Sequence, residues 1–339
     1  MWYQNFISLI FFTLSVFIVG AAVVFVIVSF FSMLVKAKQE LASMSKGVLN
    51  IKKISDEYKD SKKEFLSEIL DKKEYKKHNK DQKKKSSKKD EKNKLIYVVD
   101  FKGDMQASQV DSLRKEVSAI LAVANEKDQI VVRIDSPGGV VNGYGFAASQ
   151  LERIRQANID LTVCIDQVAA SGGYMMSAVA NTIISSPFAI VGSIGVVGTV
   201  PNIKDLLTKN GINVEMHTSG EYKRTLTSVG ENTEEGREKF KEDLKNIHKL
   251  FKQHILNYRP ELDMSKVGTG EYWFAKDALE LGLVDKIQTY DDYIINKIND
   301  DFDVYEISYV IKKEKGFLKS KLAMIKNSIT SFLYSRKII

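Results

Sequence analysis

Thirty consecutive residues, Phe6 to Val35, carry no charge and are rich in Phe, Val and Ile. A bilayer-spanning helix needs only about 20 such residues, so this run constrains the chain more than any other. A cleaved signal peptide fits it less well. The run is too long, Met1 to Asn5 contain no Lys or Arg, and no small-x-small cleavage pattern precedes Lys36. The expectation is a retained N-terminal anchor over residues 1–36. A helix of this length would be about 45 Å long against about 30 Å of hydrocarbon, so it would tilt or emerge in part.

The net charge of +7 would ordinarily suggest an anionic partner. Its distribution argues otherwise. Lys36 to Val98 hold 20 Lys, no Arg and 11 acidic residues, a local charge of +9, which leaves the rest of the chain near −2. Leu41, Met44, Val48, Ile51, Tyr58, Phe65 and Ile69 recur at helical spacing and predict a narrow-striped helix continuing from the anchor. From Lys72 to Lys94 the pattern dissolves into a low-complexity Lys run that predicts disorder. Residues 37–93 therefore read as a stalk and linker. Without arginines, interleaved aromatics or a basic folded surface, they suit a solvated tether beside acidic lipid better than a nucleic-acid site.

From Lys94 the texture changes. Leu95–Phe101, Gln129–Ile134, Leu161–Ile165, Thr182–Ile184 and Asn213–His217 read as strands. Gln106–Ala124, Asn142–Gln156, Tyr174–Ala180, Asn202–Asn210, Thr233–Tyr258 and Lys276–Leu281 read as helices. Such alternation, with near-continuous apolar strands, predicts an α/β domain over residues 94–290 with a mostly parallel sheet. Residues 291–339 form an extension in which Leu318, Leu322, Ile325, Ile329 and Phe332 predict a basic amphipathic helix. The single Cys164 excludes a disulfide framework and Cys-based metal sites.

Three glycine-marked loops follow predicted strands, where open α/β sheets place ligands. Asp135-Ser136-Pro137-Gly138-Gly139 permits a tight turn with outward backbone N–H groups, although an isolated Pro-Gly-Gly more often just ends a strand. In Ala169-Ala170-Ser171-Gly172-Gly173-Tyr174 a serine flanked by small residues opens an apolar helix. That placement suits a nucleophile with an N–H behind it for an oxyanion, and equally a helix N-cap. The third loop, Gly192 to Gly198, has neither phosphate-loop nor dinucleotide order. A nucleophilic serine needs a base. Of four histidines, His78 falls in the linker, His248 and His254 in the long helix, and His217 at a strand end. Lys223 is the other candidate, a base only where burial or nearby positive charge lowers its pKa from about 10.4.

Taken together, D-S-P-G-G (Asp135 to Gly139), S-G-G-Y (Ser171 to Tyr174), G-S-I-G-V (Gly192 to Val196), Tyr222-Lys223 and A-K-D-A-L-E-L-G-L-V-D (Ala275 to Asp285) resemble the signal peptide peptidase A family of bacterial membrane serine proteases. The resemblance covers about Leu95 to Ile287. It implies a crotonase/ClpP-like fold and a serine endopeptidase with a Ser–Lys dyad, Ser171 as nucleophile and Lys223 as general base. It further implies an oxyanion hole from the N–H groups of Gly138 and Gly172, with Ser193 orienting Lys223. No metal or organic cofactor is called for. Expected partners are a peptide or unfolded polypeptide, membrane lipid and further copies of the chain, with the dyad completed between protomers, and no nucleic acid. Arg224, beside Lys223, would help depress the lysine's pKa if both are buried. The competing functions are acyl-CoA or thioester chemistry, which the crotonase fold also hosts, and a catalytically silent membrane scaffold. The expected location is the bacterial inner membrane. Lysine counting puts the domain on the cytoplasmic side, whereas the resemblance puts it on the periplasmic side.

Overall fold

The computed structural model describes residues 47–77, 80 and 94–310. The expected anchor at Phe6–Val35, the stripe positions Leu41 and Met44, the Lys run at residues 81–93 and the expected helix at Leu318–Phe332 lie outside the described residues. Among the described residues no helix is long and apolar enough to cross a membrane.

The described chain is an α/β structure with a seven-stranded sheet in the order β1 (Val48–Lys53), β10 (Asp303–Val310), β2 (Leu95–Lys102), β3 (Gln129–Asp135), β4 (Asp160–Ile165), β6 (Thr182–Ser185), β9 (Lys286–Ile287). From β10 to β9 every neighbouring pair is parallel. The strands read as near-continuous apolar runs because both faces are covered. Tyr97, Val99, Phe101, Ile130, Val132, Ile134, Leu161 and Val163 point into one core cluster; Ile96, Val98, Val131 and Cys164 point into another.

Helices close both faces. Leu113, Val117 and Ile120 of α2 (Val110–Leu121) and Tyr144, Leu151 and Ile154 of α3 (Val141–Gln156) fill the larger core. Tyr290, Ile294 and Ile298 of α9 (Tyr290–Asn299), with Ile54 and Tyr58 of α1 (Ile54–Ile69), fill the other. Each fully buried Ile, Leu or Phe contributes about 1.5–3 kcal/mol of transfer free energy, so these faces dominate the stability. Helix α4 (Gly172–Ser177) is buried throughout. Helices α5 (Lys204–Lys209), α6 (Glu234–Tyr258), α7 (Met264–Val267) and α8 (Ala275–Glu280) complete the unit. Thr233 Oγ1 caps α6 by accepting from the Gly236 N–H at 3.1 Å.

A second, three-stranded sheet carries the site. Strand β5 (Val168–Ala170) pairs in parallel with β7 (Ile190–Gly192), which pairs antiparallel with β8 (Tyr272–Phe274). An isolated parallel bridge between Ser136 and Ala169 joins this sheet to the end of β3.

Three segments depart from expectation. Val48–Lys53, expected within a helix, is a strand, because β10 offers it an edge; the helix begins only at Ile54. Residues 72–77 are helical where low complexity predicts no order. Asn213–His217 form no strand. The alternation of Ile212, Val214 and Met216 is genuine, but all three are exposed and, among the described residues, no strand of either sheet pairs with them.

Candidate active site

The three glycine-marked loops converge. Ser171 follows β5 and Ser193 follows β7, and because these strands run in parallel with Ala170 opposite Gly192, the two serines leave their strands side by side. The Ser171 N–H donates to the Gly192 carbonyl at 2.8 Å, and the Ser193 N–H to the Glu271 carbonyl at 2.7 Å. Both serines have φ of +51°, and at Ser171 ψ is −116°; positive φ of this kind costs a non-glycine residue about 1–3 kcal/mol. At Ser171 that cost holds a half-buried hydroxyl at the entrance to α4. Ser171 occupies the N-cap position of α4, but its side chain makes no capping bond, which removes the structural alternative for this serine.

The D-S-P-G-G loop reaches Ser171 through the Ser136–Ala169 bridge. The Ser136 N–H donates to the Val168 carbonyl at 2.8 Å, and the Ala170 N–H to the Ser136 carbonyl at 3.0 Å. Gly138 turns at φ +90°, so close to the serine that a β-carbon on it would stand 2.7 Å from Ser171 Cβ and 2.8 Å from the Gly172 nitrogen. No side chain larger than hydrogen fits there. Gly138, Ser171, Gly172 and Ser193 thus form one cluster.

Lys223 stands outside it. Residues 211–224 are all exposed, and among the described residues Lys223 makes only a backbone bond, its N–H donating to the Gly220 carbonyl at 3.2 Å. Within the chain no hydrogen bond links it to Ser171 or Ser193. Arg224 is exposed beside it, so the burial that would let this second cation depress the lysine's pKa does not occur within one chain. His217 is 88% exposed and faces Glu215 at 3.5 Å. His248 and His254 are tied to backbone carbonyls, His248 Nε2 to Ile194 at 3.0 Å and His254 Nε2 to Met175 at 3.0 Å.

Two buried hydroxyls next to the cluster escape sequence reasoning. Ser136 Oγ accepts from the Gly138 N–H at 3.1 Å and lies 2.6 Å from Tyr144 Oη. Tyr144 Oη donates to the Asp104 carbonyl at 2.9 Å. Burial pushes the Tyr144 phenol above its ordinary pKa, so it stays protonated. Ser136 sits within a motif that attracts notice for its glycines. A tyrosine on the inner face of a helix reads simply as core.

A cavity of about 180 Å³ is lined by Asp100, Lys102, Arg133, Ile134, Asp135, Asp166 and Gln167. Arg133 there binds Asp100 through Nε and Nη2 and lies over the Tyr290 ring at 4.6 Å. This pairing satisfies the Arg133 and Asp100 charges, and none of the clustered glycines or serines lines the cavity.

An uncapped serine in a strained turn, backed by glycines on two loops, has the arrangement a serine nucleophile requires. Comparison with known proteins narrows the class. Residues 8–151 match peptidase family S49 N-terminal, and residues 153–304 match peptidase family S49. A probable protease SohB of Haemophilus influenzae is 52% identical over 224 residues, 66% of this chain and 63% of that protein, so this match spans less than two thirds of the relative. A putative protease SohB of Buchnera aphidicola subsp. Baizongia pistaciae is 40% identical over 341 residues, 95% of this chain and 97% of the relative. Among solved structures, a mutant membrane-bound stomatin-specific protease in complex with a substrate peptide is 12% identical, with 69% of this chain and 99% of that one covered and a TM-score of 0.42. The chain belongs to peptidase family S49, whose members are serine-type proteases.

Proposed function

We propose that the chain is a membrane-anchored serine endopeptidase of crotonase-like fold, acting through a Ser171–Lys223 dyad. The observation that carries this reading is the uncapped Ser171 hydroxyl, held at positive φ against Gly138. Neutral Lys223 takes the Ser171 proton, Ser171 Oγ attacks the peptide carbonyl, and the backbone N–H groups of Gly138 and Gly172 stabilise the oxyanion. Protonated Lys223 then supplies the leaving amine with its proton, and water repeats the sequence on the acyl-enzyme. Ser193, beside Ser171, orients the incoming lysine in this reading.

The lysine arrives from a second copy of the chain. Its exposure supports this, as does the exposed apolar row of Ile212, Val214 and Met216, a strand-like face that a neighbouring protomer would cover. Packing there would also bury Arg224 near Lys223 and favour the neutral amine. The uncharged run at Phe6–Val35 supports a single anchor in the bacterial inner membrane, with the Lys-rich segment as a tether at its surface. Substrates suited to that position are signal-peptide remnants or unfolded membrane-associated polypeptides.

The test uses the full chain in detergent with a fluorogenic peptide. Ser171→Ala and Lys223→Ala should each lose about a thousandfold or more of kcat. Mixing the two inactive proteins should restore part of it, since mixed assemblies contain intact serine–lysine pairs. Full activity of either single variant would overturn the mechanism, and failure of the mixture to recover would place the dyad within one chain.

A further inference from the structure

We infer that Ser136 and Tyr144 are positioning residues that aim the Gly138 N–H, through a one-way chain of hydrogen bonds ending on the Asp104 carbonyl. This rests on the serine-peptidase reading of Ser171.

Proton counting sets the direction of the chain. The Asp104 carbonyl can only accept, so the single phenolic proton of Tyr144 goes to it, across 2.9 Å. Tyr144 Oη then has only lone pairs to offer Ser136, 2.6 Å away, so the Ser136 hydroxyl donates to Tyr144. Ser136 Oγ is left to accept from the Gly138 N–H at 3.1 Å. Every proton from Gly138 to Asp104 has one place. Both side chains are 0% exposed, so water cannot substitute for a missing link.

The far end is anchored. The Asp104 carboxylate accepts from the N–H groups of Gln106 and Ser108 at 3.1 and 2.8 Å, which fixes its turn and holds its pKa below the usual range. The Val140 N–H donates to the Met105 carbonyl at 2.9 Å, and a β-carbon on Gly139 would stand 2.2 Å from that same oxygen. The turn at Asp104 and the D-S-P-G-G loop are therefore locked together. Tyr144 also reaches the other donor: a β-carbon on Gly172 would lie 2.3 Å from its Cγ. One side chain thus fixes Gly138 through its hydroxyl and Gly172 through its ring.

At rest the Gly138 hydrogen is held by a neutral acceptor at 3.1 Å, which fixes the direction of the N–H. An oxyanion beside Ser171 is a stronger acceptor and shares the same hydrogen in a three-centre bond while Ser136 keeps the N–H in place, whereas the neutral carbonyl of bound substrate shares it less well. Ser136 stays tethered to Tyr144 and limits how far the loop turns. The device therefore acts on the transition state more than on binding.

Tyr144→Phe keeps the ring against Gly172 and removes only the phenolic link, and Ser136→Ala removes the other. In the full chain in detergent, each should lower kcat on a fluorogenic peptide by about 10- to 100-fold, with KM within about twofold. Fluorophosphonate labelling of Ser171, which places a phosphoryl oxygen in the same hole, should slow by a similar factor. The double variant should be no slower than the worse single one, because either change breaks the same chain. A folded variant with unchanged kcat, a rise confined to KM, or single effects that multiply would overturn the inference. If one variant does not fold the other decides, and collapse of both would make the pair merely structural. Ser171→Ala run alongside separates the two failures. Retained activity there sinks the peptidase reading itself, whereas an inactive Ser171→Ala beside a fully active Tyr144→Phe sinks only the positioning role.

Discussion

Replacing Glu116 with Gln should stabilise this protein in alkaline solution and leave it unchanged in acid. Glu116 lies on α2 and is 2% exposed. Its Oε1 accepts the Tyr309 N–H at 2.6 Å, while Oε2 is buried without a partner among the described residues. Burial, helped by the nearby Asp100 carboxylate and opposed by the Tyr309 bond, pushes its pKa up to about 7. In the unfolded chain the group titrates near 4.3. Between these values the folded state holds a proton that the unfolded state has released, so stability falls as pH rises through this window and is flat below it. At about 1.4 kcal/mol per tenfold change in proton affinity, the loss above pH 7 is about 3–4 kcal/mol. Gln keeps the shape and the acceptor for Tyr309 and never ionises. Urea unfolding of both proteins from pH 4 to 9 should give curves that coincide near pH 4 and separate by about 3–4 kcal/mol at pH 8. Parallel curves, or a Gln variant less stable at pH 8, would refute the buried, strained carboxylate.

Two further outcomes follow from the geometry. Arg259→Ala removes bonds of 2.8 and 2.6 Å to Asp285 and one of 3.0 Å to the Gly282 carbonyl, at a guanidinium only 12% exposed. With Asp285 itself about a third exposed, the expected loss is about 2 kcal/mol, read as a lower urea midpoint, and a loss under about 0.5 kcal/mol would mean that solvent replaces the pair. Gly138→Ala places a methyl at φ +90° against Ser171 and should cut kcat by about a hundredfold or more; near-normal turnover would mean that the loop is free to swing away from the serine.

Where residues are buried on both sides, their role was legible from the sequence. Strands β2, β3 and β4 read correctly because two cores demand apolar residues at successive positions, and the site loops read because glycines sit where backbones must nearly touch. What escaped depends on distant partners. Val48 and Ile51 fit a helical stripe as well as a strand, and only the edge of β10 decides. Asp303–Val310 is rich in β-branched and aromatic residues, yet nothing local says that it lies beside Leu95. The alternation at Ile212 to Met216 misled for the opposite reason, since a strand pattern without a neighbouring edge stays open. The Ser136–Tyr144 link joins two unremarkable residue types across a turn and a helix, and spacing alone carries no sign of it.

The position of β10 has a consequence for how the protein is made. It lies between β1 and β2, and its register places Asp303 beside Leu95, a pairing across roughly 200 residues. During synthesis β2, β3, β4 and β6 can assemble first, but the outer edge of β2 stays unpaired until nearly all of this domain has emerged. β1 emerges first, yet its place in the sheet depends on the last strand. An exposed apolar strand edge on a nascent chain is a template for wrong partners. A truncation just before Asp303 would leave that edge permanently open, making the last strand the step that ends the chain's vulnerability to aggregation.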